Sequence, residues 1–163
     1  MTWREAFISQ ARHDFATYRG LTRQNACMAD RLHFLQMATE KLARGYLAAP
    51  ASPAPPALTH AGIVRMFQHL KSDLALRQRL GYTHARSFSR YLDSLLGIAG
   101  QIQSLAPAIA GTTQPNPEYP WRDMGLNSIV IPWKHDFRFF VDFENANAAK
   151  FLKLIAQLFE LVA

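Results

Sequence analysis

Between Ala29 and Ala49 the chain reads ADRLHFLQMATEKLARGYLAA, and His33, Gln36, Glu40 and Lys41 lie on or beside its apolar stripe. Spacings of 3 and 4 put His33, Gln36 and Glu40 on one helical face, within reach of one another. Such groups can pack, bind or take part in proton transfer. A satisfied polar seam between helices, or across a dimer, accounts for them without a ligand. Two His-Asp pairs, His13-Asp14 and His135-Asp136, with His33, His60, His69 and His84 elsewhere, raise metal-dependent phosphate chemistry. That chemistry needs several ligands converging from adjacent turns. The first pair has no histidine before it, and the second leaves only 27 residues of the 163 for a distant aspartate, so no metal and no cofactor are expected. The single cysteine, Cys27, excludes an intramolecular disulfide and a thiol-based zinc site. As a nucleophile it would need a base such as His33, and a buried, inert thiol is the expectation. No Gly-rich phosphate loop and no Ser-His-Asp ordering stand out.

The charge distribution points elsewhere. Net charge is +6, and residues 60–90 carry six basic side chains against one acidic, so that segment alone holds +5. Residues 1–59 hold seven basic and four acidic groups, and residues 91–163 five and seven. An anionic partner, RNA or a nucleotide, would meet the middle segment, with Lys71, Arg77, Arg86 and Arg90 as the binding candidates. The alternative is a solvated helix face.

The elements that must position these residues are helical. Thr2 and Glu5 form a capping-box pattern, Ile8, Ala11, Phe15 and Tyr18 follow at helical spacing, and Gly20 is the expected stop. A second helix is predicted from about Asn25 to Ala48, ended by the proline-rich stretch over 50–58. Thr59 is placed to cap a third helix that buries Ile63, Phe67, Leu70 and Leu74 and stops near Gly81. Thr83 is placed to cap a fourth, with Phe88, Leu92, Leu95, Ala99 and Ile102 inward. Residues 111–144 change character and read as an irregular insertion or a short β-hairpin, in which Tyr119 and Trp121 of NPEYPW would cover the core. A last helix spans about Asn145 to Leu161. The expectation is a single all-α domain over 1–163, an up-and-down antiparallel bundle of about five helices with that insertion before the last one. No run approaches the roughly 18 apolar residues of a membrane span, and charges come too early for a secretory leader, so a soluble, cytoplasmic protein without a membrane partner is expected.

The string NACMADRLHFLQMATEKLARGYL, followed by a loop and LTHAGIVRMFQHL, resembles the HEPN superfamily of small helical bundles. The likeness rests on Ala29, Phe34, Gln36, Ala38, Glu40, Lys41, Thr59 and His60 in that order, and covers residues 1 to about 110, with the last helix matched loosely. It implies a bundle that often forms a homodimer and binds RNA, a nucleotide or a protein partner. Some members cleave RNA, and others act beside a nucleotidyltransferase in toxin-antitoxin or defence systems. The ribonuclease members carry an Arg and a His separated by four to six residues. That pair suits metal-independent cleavage, the imidazole moving the 2′-hydroxyl proton and the guanidinium stabilising phosphate charge. Within RQRLGYTH, Arg77 stands seven positions before His84 with six residues between, and Arg79 five before it with four between. The resemblance thus implies Arg77, Arg79 and His84 as candidate catalytic residues. The family's motif sits nearer the start of the last long helix, where this chain has NPEYPW with Glu118 in place of an arginine.

Overall fold

The structure is a computed structural model and describes residues 1–49, 62–139, 141, 143 and 145–162. The expected proline-rich connection, the Thr59 cap and His60 lie outside the described residues. Helices dominate: α1 (Trp3–Arg23), α2 (Met28–Leu47), α3 (Gly62–Leu70), α4 (Leu74–Arg79), α5 (Ala85–Ser94), α6 (Leu96–Ser104), α7 (Pro107–Ala110) and α8 (Ala146–Leu161). One antiparallel hairpin, β1 (Trp121–Asp123) with β2 (Ser128–Val130), interrupts them before α8. Among the described residues there are thus eight α-helices rather than about five.

The extra helices come from two predicted helices that break. Asp73 stops the third: its Oδ1 accepts from the Leu76 amide at 2.9 Å and starts α4 afresh, leaving Leu74 exposed instead of buried. Within the fourth, the Leu95 amide bonds to Leu92 O at 3.0 Å, a tight i−3 turn that separates α5 from α6, and Pro107 opens α7. The cap of α5 is His84, not Thr83, and it makes no side-chain capping bond. Gly20 does not end α1, which continues to Arg23 and closes with the Gln24 amide on Gly20 O and Asn25 at φ +52°. In consequence α2 starts at Met28, capped by Cys27 Sγ.

The Thr2–Glu5 capping box is formed in both directions. α1 and α2 form the most extensive helix pairing in the fold and run antiparallel, since Gly45 sits against Arg4 and Ile8 while Lys41 meets Asp14. An alanine Cβ at Gly45 would stand 2.7 Å from Ile8 Cγ1 and 3.2 Å from Arg4 O, so the glycine sets how closely the two helices approach. The core joins Leu32, Leu35 and Leu42 of α2 to Met66 and Phe67 of α3, Phe88 and Leu92 of α5, Ile102 of α6, and Phe151, Leu154 and Leu158 of α8. Every inward position expected for α8, Ala148, Phe151, Ile155, Leu158 and Val162, is buried. No helix among the described residues is long and apolar enough to cross a membrane.

The insertion takes the hairpin form. Asp123 Oδ1 accepts from the Gly125 and Leu126 amides, and Asn127 at φ +46° brings the chain back into β2. Trp121 is 3% exposed and stacks edge-on with His135, itself edge-on to Phe137, so this aromatic cluster seats the insertion. Tyr119, expected to cover the core, is exposed instead.

Candidate nucleic-acid interface on α4, α5 and α8

The polar face of α2 resolves into structural ties. Gln36 Nε2 donates to Glu40 Oε2 at 2.7 Å, and Arg44 Nη2 pairs with Glu40 Oε1 at 2.6 Å. Lys41 Nζ reaches Asp14 Oδ2 at 2.6 Å, and Gln10 Nε2 holds the other oxygen of that carboxylate at 3.0 Å. Asp14, named above in a His-Asp pair, is therefore buried and serves the α1–α2 seam. His33 turns away from this row to Glu118 at 3.7 Å and links α2 to the loop before the hairpin. Asn116 Oδ1 closes that loop by accepting from the Glu118 and Tyr119 amides. Cys27 is partly buried rather than fully so, and burial pushes its thiol up, away from the reactive thiolate. Asp136 pairs with Arg138 at 2.6 Å. Among the described residues no three His, Cys, Asp or Glu side chains converge as metal ligands would.

The basic segment has a different character. α4 is held at its start by Asp73, whose second oxygen accepts from Tyr46 Oη at 2.8 Å, and burial with the nearby carboxylate keeps that phenol protonated. At the far end Arg79 Nη1 donates to Leu161 O at 2.7 Å, placing a cation on the carbonyl end of α8. Arg12 donates to Phe159 O at the same end. Along α5, Tyr91 Oη donates to Lys150 O at 3.2 Å. These two anchors, 79 on 161 and 91 on 150, lay the α4–α5 segment antiparallel along α8. Tyr91 stacks on Tyr82 at 5.4 Å, and Tyr82 packs on Phe88 at 5.0 Å. Burial first, then the neighbouring Tyr82, pushes Tyr91 up to about 12, so its hydroxyl remains a donor at neutral pH.

The candidate residues divide accordingly. Lys71 is compensated by Asp93 at 2.5 Å. Arg77 is half-buried, and its Nε is enclosed without a hydrogen-bond partner. Arg79 is engaged with the α8 carbonyl. Arg86 and Arg90, one turn apart on α5, are exposed and have no ion-pair partner among the described residues. His84 is exposed at the start of the same helix. Across the junction, α8 adds exposed Lys150 and Lys153, which sequence reasoning did not include because residues 91–163 are acidic in sum. Their spacing of three on the polar side of α8 was the available signal. The arrangement offers cations without an ion-pair partner among the described residues on two adjoining helices, suited to a chain of phosphates. An open groove of about 660 Å³ at the first turns of α1, lined by Arg4, Glu5, Ile8, Arg12 and Val162, shares no residue with this face. Comparison with protein-family models, with characterised proteins and with solved structures gave no match.

Proposed function

We propose that the chain is a HEPN-like helical module that binds RNA through the face formed by α4, α5 and α8. The observation that carries this reading is the pair Arg86 and Arg90, exposed on one side of α5 with no ion-pair partner among the described residues and flanked across the helix junction by Lys150 and Lys153. Charges already compensated within a protein add little to polyanion binding; unpaired ones release counterions from the ligand. In fluorescence anisotropy with a single-stranded RNA, affinity should fall linearly with salt on logarithmic axes. Replacing Arg86 and Arg90 by alanine should flatten that slope by about 0.7 for each phosphate no longer neutralised. Binding that is absent, or indifferent to salt, would sink the reading.

A second reading is metal-independent RNA cleavage, and the observation favouring it is His84, exposed and without a side-chain capping bond. Its imidazole is available to take a 2′-hydroxyl proton, with Arg77 as the guanidinium not committed to the α8 carbonyl. Incubating wild type and His84→Ala with a mixed RNA pool in chelator separates the two: cleavage by wild type alone supports the enzyme, and intact RNA in both leaves a binding module.

A further inference from the structure

The hairpin presents an apolar outer surface that the helical core does not use. Met124 is 70% exposed, Leu126 74%, Ile129 61% and Trp133 65%, with Ile131 beside them. The ten residues Met124 to Trp133 carry no charged side chain. The backbone on this side is open as well. Arg122 turns its amide outward to Thr112 O at 2.8 Å, away from β2, although it stands directly opposite Ile129 in the ladder. Arg122 and Ile129 are therefore a non-hydrogen-bonded pair, and Ile129 directs its N–H and C=O away from β1. On the β1 side Thr112 covers the edge; on the β2 side no backbone partner is present among the described residues, and an uncharged apolar strand is left as a template for pairing.

We propose that the β2 edge is a self-association surface, on which a second copy of this chain pairs antiparallel about a two-fold axis through Ile129. In that register Ile129 faces its own copy and the two exchange both backbone hydrogen bonds, joining two hairpins into one four-stranded sheet. Val130 then stands opposite the partner's Ser128, and the exposed Ile129 side chains cover one another across the axis. Like charges facing each other would oppose such pairing, and the segment has none. A bilayer is the poorer occupant, because hydrocarbon offers no partner to the open N–H and C=O of Ile129. This inference is independent of RNA binding, since it uses none of the residues of α4, α5 or α8.

Light scattering on the full chain after size exclusion tests it. Wild type should run near twice the 18.4 kDa chain mass, and Ile129→Lys, which sets two like charges on the axis, should shift it to 18.4 kDa with an unchanged far-UV spectrum. Ile129→Cys provides a second reading. Cα atoms of a hydrogen-bonded antiparallel pair lie about 5.5 Å apart, within disulfide range, so mild oxidation should give a covalent dimer that wild type, with Cys27 alone, does not form. A wild type that stays monomeric over a broad concentration range overturns the proposal, and so does a dimer that survives Ile129→Lys. Co-sedimentation of a monomeric wild type with uncharged phosphatidylcholine vesicles, which do not attract the basic face, would reassign the surface to lipid.

Discussion

Asp14 and Lys41 form the charge pair on which the α1–α2 seam depends, with the carboxylate side chain 6% exposed and the ammonium 20%. Removing one member of a buried pair leaves the other without compensation, and Asp14→Ala should cost about 3 kcal/mol in urea unfolding. That figure sits at the low end for such pairs because Lys41 keeps some water. The exposed pair Asp136–Arg138 is read by its titration instead. Arg138, donating to both carboxylate oxygens, lowers Asp136 from 3.8 to about 2. A carboxyl depressed in the folded state contributes stability above its unfolded pKa and loses it as pH falls through the folded one. The contribution should therefore be complete above about pH 4 and fade toward pH 2. A carboxyl NMR titration midpoint that stays low in Arg138→Ala would refute this pairing. The spacing of Gln36 and Glu40 made their contact along α2 legible from the sequence, but not that Glu40 would pair with Arg44, that His33 would leave for Glu118, or that Lys41 and Asp14 would tie α2 to α1.

At the scale of elements, Asp73 decides where α4 begins and how it meets α2. Its two oxygens have separate roles, one accepting from the Leu76 amide and the other from Tyr46 Oη. Asp73→Ala should remove a helix cap and leave a partly buried hydroxyl without its acceptor, together costing about 2–3 kcal/mol. Tyr46→Phe should cost less, because it removes donor and need together, and thermal melts of the two variants test the order. The α1–α2 approach rests on Gly45. Gly45→Ala forces a Cβ to within 2.7 Å of Ile8 and should destabilise by about 1–3 kcal/mol, an overpacking cost that an added Ile8→Val should partly relieve.

For the whole molecule, the contrast between two tryptophans tests how the insertion is divided between core and surface. Trp121 is buried in the aromatic cluster, whereas Trp133 stands in solvent with Lys134 Nζ 5.0 Å from its ring centre. Trp121→Ala should cost about 3–5 kcal/mol in denaturant unfolding, and Trp133→Ala should fall within about 0.5 kcal/mol when measured on the monomer. Equal losses would mean that the outer surface also belongs to the fold.

Much was determined by the sequence alone. The helical spacing of Ile8, Ala11, Phe15 and Tyr18, and of the inward row on α8, specified which faces are buried, because an apolar stripe has one low-energy partner, the core. The net charge of residues 60–90 likewise identified the basic segment. Tertiary structure decided what local pattern does not encode. Breaks at Asp73 and Leu95 arise where capping and tight turns prevail over helix propensity, and packing determines which side of each break is kept. The fates of Arg79, Lys71, Arg86 and Arg90 depend on which helix lies alongside, since Leu161 O is 82 residues from Arg79 and Asp93 is 22 from Lys71. Charge is a property of the residue, but whether it is compensated is a property of its neighbours, and those are assigned only when the chain folds.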